Sequence, residues 1–234
     1  MNIEFLPSSE EVQNLIDPPV PSKMSVPQWF KDKPGFNPNQ DEMIFNKEGA
    51  LINKHLKMCM PFIDAMTGGF VQKTWCDIYI KRQGDGTASY TWAHDPAPIG
   101  DRGKCNIPIS GKYYPLEFHW VNPWIPKLPD GYSLLITHPH NRLDLPFTTL
   151  SGIIDADKFH HVGFGQYPFY IDHNFDGVIP FGTPMFQMIP IKRDVWKSTV
   201  KEFNTIEHKK RSYISLREFW SVYKNHFWQK KKYD

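Results

Sequence analysis

Apolar runs of strand length, each closed by a polar or proline-rich cluster, fill the middle of the chain, while helical spacing is confined to two stretches. The run FVQKTWCDIYIKR alternates in part through Trp75, Asp77 and Tyr79, turns at Gly84–Gly86 and continues as ASYTWAH, which predicts a β-hairpin. FHWVNPWIPKLP reads as a strand followed by a proline-fixed loop that leads into Gly131. Three elements then follow in order: GYSLLITHPHNRLDLPF, SGIIDADKF and IPFGTPMFQMIP. Each joins a β-type run to a polar cluster at the expected strand end, where a β scaffold presents side chains to a ligand.

Helical spacing occurs at Ile44, Leu51, Ile52, His55, Leu56 and Cys59, with Pro61 expected to end or kink the helix and Gly68 and Gly69 to stop it. A second helix is expected near the C-terminus. There Ser215 and Glu218 have capping-box spacing, Leu216, Phe219, Trp220, Tyr223 and Phe227 share a face, and Lys230–Lys232 form a basic tail. Before both helices, Pro18, Pro19, Pro21, Pro27, Pro34 and Pro38 hold residues 1–40 extended. This segment reads as a proline-rich arm without its own core, with Val26, Trp29 and Phe30 lying against the body or a neighbouring subunit.

Composition supports the β reading. The 234 residues are 40% hydrophobic and 15% aromatic, with 21 prolines and 15 glycines, as expected for many short strands and fixed turns around an aromatic core. The expected architecture is a single mainly-β domain over residues 41–200, with an inserted helix near 44–67 and a helical, basic extension over 201–234. A net charge of +2 does not steer the whole protein onto nucleic acid. Cys59, Cys76 and Cys105 lack C-x-x-C spacing and read as reduced core thiols. No stretch approaches the ~18 apolar residues that span a bilayer, and the first residues lack a signal-peptide pattern, so the expectation is a cytoplasmic protein with no membrane partner.

SGIIDADKF carries the chemistry. Asp155 and Asp157, two residues apart at a strand end, point together if the chain stays extended. They would then hold a divalent ion, orient a water or bind a sugar hydroxyl. The alternative is a pair of turn aspartates that accept hydrogen bonds from local amides.

The order of these three elements resembles the motifs of the dUTPase and dCTP deaminase superfamily: a P-G-Y strand before a P-R-S turn, a G-V-I-D-x-D-Y turn, and a G-D-R-I-A-Q-L strand. A weaker echo upstream puts Asp77 at the aspartate of the first family motif. The resemblance implies a β-clip, jelly-roll-like fold, a homotrimer and binding of a nucleotide. By the same resemblance Asp155 matches the aspartate that activates the attacking water and contacts the 3′-hydroxyl, and Phe159 matches the tyrosine under the deoxyribose. Gln187 matches the glutamine that positions groups around the triphosphate. Asn141 and His140 fall at the serine and arginine of the P-R-S turn, and Asp157 is the second carboxylate of the central motif. The implied reaction is attack of water on a phosphate with Mg²⁺ shared among the phosphates, releasing a nucleoside monophosphate and pyrophosphate. Asn141 and His140 depart from the family residues, and the glycine-rich fifth motif has no counterpart near the C-terminus.

Two other readings use the same stretch. His138, His140 and Asp144 are spaced much as in the first cupin motif, and Pro180-x-Gly182 echoes the second, implying a site for Fe²⁺, Mn²⁺ or Zn²⁺; the second motif's histidine falls at Met185. The whole chain also resembles an uncharacterised family of bacteriophage and bacterial proteins marked by HPHNRLDLPF. That likeness implies no activity and suits an assembly or virion component, located in the host cytoplasm or the particle. Arg142 and Asp144 are either ligand contacts or an internal ion pair, and Lys192 and Arg193 either meet phosphate or face water.

Overall fold

The computed structural model describes residues 1–35, 47, 56–104, 107–109, 111–159, 165–217 and 222–234. Among them the protein is mainly β, with fourteen strands in four antiparallel sheets and no barrel. Contacts divide the described chain into two compact units. The first comprises Met1–Ser25, Gly69–Arg193 and Tyr233; the second comprises Val26–Gly68, Asp194–Lys232 and Asp234. The proline-rich stretch is thus shared between them.

In the first unit the initial residues are built into the sheets. Strand β1 (Glu4–Pro7) continues into helix α1 (Glu10–Leu15), whose N-cap Ser9 accepts a hydrogen bond from the Val12 amide at 3.1 Å. Strand β2 (Val20–Pro21) then pairs with β3 (Phe70–Lys73). The run expected as one strand from Phe70 breaks at Thr74. Strand β3 enters one sheet, and β4 (Ile78–Arg82) forms the expected hairpin with β5 (Ala88–Trp92) in another. Asp85 closes the hairpin by accepting from the Thr87 amide and hydroxyl at 3.0 and 2.6 Å.

Strand β6 (Ile99–Lys104) pairs with β7 (Leu116–Val121), and β8 (Trp124–Lys127) pairs with β1. The remaining strands are β9 (Tyr132–Thr137), β10 (Phe147–Thr149), β11 (Gly152–Ile154), β12 (Gln166–Ile171), β13 (Gly177–Ile179) and β14 (Pro184–Lys192). The five-stranded sheet has the order β11-β9-β14-β3-β2, and the four-stranded sheet has the order β10-β12-β7-β6. Strand β13 adds to the β4–β5 hairpin.

Aromatic side chains make the core. Trp120 and Phe169 stack with ring centroids 3.7 Å apart and planes 3° apart, and Phe147 meets both edge-on at 4.9 and 5.8 Å. A hydrogen-bond chain crosses this cluster. The Trp120 indole donates to the Thr149 hydroxyl at 3.0 Å, and that hydroxyl donates to the Met185 carbonyl at 2.7 Å, which joins the four-stranded sheet to β14 of the five-stranded sheet. Gly69, at φ +67, precedes β3; a Cβ there would lie 2.0 Å from the Met188 carbonyl oxygen, so only glycine permits the approach to β14.

The second unit contains α2 (Gln28–Lys31), α3 (Met60–Thr67) and α4 (Thr205–Arg217). Phe30 stacks on Phe62 at 5.7 Å, and Lys57 donates to the carbonyls of Lys31 and Lys33 at 2.5 and 2.8 Å. Two sequence expectations are corrected here. Pro61 does not end a helix; it lies in the first turn of α3, where its missing N–H has no helical partner to lose, and the helix stops at Gly68. The C-terminal helix does not begin at Ser215. Asn204 caps it eleven residues earlier by accepting from the amides of Ile206 and Glu207 at 3.0 and 3.1 Å, so Ser215 lies inside α4. Residues 44–46 and 48–55 of the helix expected over 44–67, and Phe219 and Trp220 of the later apolar face, lie outside the described residues.

Thr149→Val keeps the volume of that side chain but strands the Trp120 indole and the Met185 carbonyl. Each stranded buried group costs roughly 1–3 kcal/mol. Urea unfolding should show a lower midpoint with an unchanged slope. A variant as stable as the parent would mean that the chain of bonds does not couple the sheets.

Candidate functional site

The three motif elements become neighbours. GYSLLIT forms β9, SGII enters β11 and PMFQMIP lies in β14, and these strands are adjacent in the order β11-β9-β14. Ile153 lies opposite Leu135, and Gln187 opposite Thr137. Because β9 runs antiparallel to both neighbours, the clusters that follow β11 and β14 meet at the N-terminal end of β9, while the one that follows β9 lies at the opposite end beside Gln187.

Asp155 and Asp157 follow β11 in a tight turn closed by Lys158 and Phe159 amides, which donate to the Asp155 carbonyl at 2.9 and 2.8 Å. Their side chains point together, but onto a cation of the same chain. One terminal nitrogen of Arg193 lies 2.9 Å from Asp155 Oδ1 and 2.9 Å from Asp157 Oδ1, and the other pairs with Asp157 Oδ2. Arg193 is the first residue after β14, and its own amide donates to the Gly131 carbonyl at 2.9 Å. Ser133 donates to Asp155 at 2.6 Å, and the Gly131 amide donates to Asp157 at 2.9 Å.

The two carboxylates differ in exposure. The Asp157 side chain is fully buried, whereas that of Asp155 is 62% exposed. The Arg193 hydrogen bonds, aided by the Gly131 amide, hold Asp157 down at about 2 despite its burial. The Ser133 hydroxyl and then Arg193 lower Asp155. Arg193 is raised in turn by Asp157 and Asp155. Both aspartates are therefore ionised at neutral pH and share one guanidinium between them, which makes them poor proton acceptors and leaves no open carboxylate pair for a divalent ion.

The turn after β9 is also held by internal bonds, although His140 Nδ1 is buried without a partner. Asn141 takes φ 62 at its centre, a left-handed position that asparagine tolerates. The backbone amide of His140 donates to the Gln187 side-chain oxygen at 2.8 Å, so these two sequence candidates meet. His138 accepts from the Thr149 amide through Nδ1 at 3.3 Å and therefore donates through Nε2 to the Arg142 carbonyl at 3.0 Å. Burial lowers its pKa. Arg142 grips Asp144 at 2.8 and 2.9 Å, the internal ion pair of the two alternatives. With both ring nitrogens of His138 and the Asp144 carboxylate engaged, this set does not fit an Fe²⁺, Mn²⁺ or Zn²⁺ centre, and no group of three or more metal-ligating side chains occurs among the described residues.

Beyond the carboxylates lies a cavity of about 430 Å³ beside β11. Gly152–Ile154, Ile136 and Tyr167 contribute to its wall, and Phe159, half-exposed, stands at its rim. β11 is the edge of its sheet, so alternate N–H and C=O groups of this strand face away from β9. Asn122 also lines the cavity: its side-chain nitrogen meets the Tyr167 hydroxyl at 3.1 Å, while its buried Oδ1 has no partner. The lining includes no charged side chain among the described residues.

Sequence reading found the two aspartates and Phe159 but not the role of Ser133, the Gly131 amide or Asn122. The polar Ser133 inside an otherwise apolar run was the available signal. No protein-family model matches the chain, and no curated protein matches it significantly.

The Arg193 cluster gives a pH dependence of defined sign. Asp157, near 2 in the folded protein against about 3.9 in an unfolded chain, adds stability above about pH 4 that is lost as the pH falls toward 2. Arg193→Met leaves the buried Asp157 charge uncompensated, so its melting temperature at pH 7 should fall well below that of Asp155→Asn. The deficit should shrink on acidification as Asp157 takes a proton. Thermal melts of both variants from pH 2 to 7 check this; equal losses at every pH would contradict it.

Proposed function

We propose that the β unit binds a nucleotide or a related phosphorylated small molecule, with the base or sugar in the cavity beside β11. The observation that carries the reading is the edge strand β11 forming the wall of an uncharged cavity with Phe159 at its mouth. Outward main-chain groups of β11 and the free end of the Asn122 amide would read a heterocycle's donors and acceptors, and the Phe159 ring would cover the sugar or base. The phosphates would lie outside the cavity, since its wall offers them no cation.

The geometry favours binding over hydrolysis. Arg193 and Ser133 both hold Asp155 Oδ1, so a water would be activated through Oδ2, against a proton affinity that those bonds have lowered. Asp155 and Asp157, held by Arg193, do not form a Mg²⁺ cradle, and this reading routes no step through the metal.

A second reading is favoured by a different observation. Residues 194–204 run without regular structure, and within them Val195, Trp196, Val200 and Phe203 are 91%, 88%, 97% and 76% exposed. So much large apolar surface on one short segment marks a contact with another chain, as in a homo-oligomer or an assembled particle.

A thermal-shift screen against deoxy- and ribonucleotides with Mg²⁺ tests the first reading. Specific binding at a hundred times the dissociation constant stabilises by about 2.7 kcal/mol. Phe159→Ala should weaken binding by roughly tenfold or more, the worth of one stacked ring. Any pyrophosphate release should vanish in Asp155→Asn. The absence of a shift with every nucleotide would sink this reading. The second predicts an oligomeric mass by light scattering that falls to the monomer in Trp196→Ser/Phe203→Ser; a monomeric parent protein would refute it.

A further inference from the structure

A second cavity, of about 360 Å³, shares no lining residue with the first. It lies between the chain leading into β2, the end of β3 and the turn before β14, and Ile16, Val20, Gln72, Trp75 and Phe181 contribute to its wall. Gln72 is the informative residue. It is 2% exposed, and its side-chain nitrogen donates to the carbonyls of Lys73 and Asp17 at 3.1 and 3.4 Å. Turning the amide over would set its oxygen against two carbonyl oxygens, so the orientation is fixed. The oxygen, Oε1, is buried and has no donor.

The uncharged donor side chains of the lining, Trp75 and Thr74, are spent elsewhere. The Trp75 indole N–H is given to the Pro96 carbonyl at 2.6 Å and the Thr74 hydroxyl to the Pro180 carbonyl at 2.8 Å. Trp75 therefore offers the cavity only its apolar ring surface, and Phe181, 67% exposed, adds a second ring at the rim. Asp17 and Lys73 are the charged residues of the lining, one of each sign, so the wall is close to neutral. A buried polar atom is ordinarily hydrogen-bonded, and an acceptor left over in a roomy, ring-walled cavity describes what is missing from it.

We propose that this cavity is a binding site for a small neutral ring compound carrying one N–H or O–H donor, an indole- or phenol-type molecule. The ring lies between Trp75 and Phe181, and the donor reaches Gln72 Oε1. The site is independent of the nucleotide reading, and its test does not involve nucleotides.

The test is a ligand-observed NMR titration of the full-length protein with indole and phenol, each run beside its methylated partner, 1-methylindole and anisole, which keep the ring and lose the donor. The parent compounds should bind saturably and about tenfold more tightly than the methylated ones, the factor set by one hydrogen bond of ordinary worth. Gln72→Leu should erase that ratio. Because Gln72 is buried, near-ultraviolet circular dichroism of the variant establishes that it is folded. The exposed Phe181→Ser, which does not touch the core, should weaken all four compounds while preserving the ratio. Equal affinity of parent and methylated compounds, or no saturable binding of any of them to the folded protein, would overturn the proposal.

Discussion

The Thr149 hydroxyl is the joint on which the β unit turns. Placed between an indole N–H and a main-chain carbonyl, it is both acceptor and donor within the aromatic core. Because one partner belongs to β7 and the other to β14, the bond fixes how the two larger sheets face each other. Everything near β11 inherits its position from that arrangement: β14 sets β9, β9 sets β11, and the turn after β11 falls where Arg193 can reach it. A hydrogen bond inside an apolar cluster is directional where packing alone is not, and so selects one sheet arrangement among many of similar apolar burial.

The same logic distinguishes the two aspartates. Their spacing suggested a shared task, and they do share one, but its immediate object is Arg193. Asp157 anchors the turn from inside, with a main-chain amide and a guanidinium as partners, and Asp155 is the outward member. A ligand arriving from solvent meets Asp155 already engaged on one side by Ser133 and Arg193. Such a carboxylate is better suited to orienting a hydroxyl than to taking a proton.

What the sequence made legible follows from the range of the physics involved. The β4–β5 hairpin, the stop at Gly68 and the mainly-β class depend on local alternation, turn chemistry and composition, all readable within a few residues. Pro61 and Ser215 were misplaced because each motif has two positional meanings, and only the rest of the helix decides between them. Asn204, the actual cap of α4, bears the same kind of side chain as other capping residues and stood outside the apolar stripe that drew attention to the later positions. The Arg193 cluster was the least accessible. Its cation lies 36 residues from Asp157, and their meeting depends on the pairing of β14 with β9, which periodicity does not encode. Asn122 and Gln72 were invisible for another reason: an unmet hydrogen-bonding group is defined by what surrounds it, not by its own identity.

Arg193 also ends the long segment Gly69–Arg193 of the β unit, and the exposed apolar segment 194–204 begins at the next peptide bond. The residue that precedes that segment carries the guanidinium clamped on the β11 turn. Any order imposed on the segment by a partner would reach the Arg193 backbone, whose amide holds the Gly131 carbonyl, and through the same residue the guanidinium on the two aspartates. Capture of Trp196 or Phe203 would therefore register at Asp155 as a change in how firmly its counter-ion is held, turning an attachment event into an electrostatic one at the edge of the cavity.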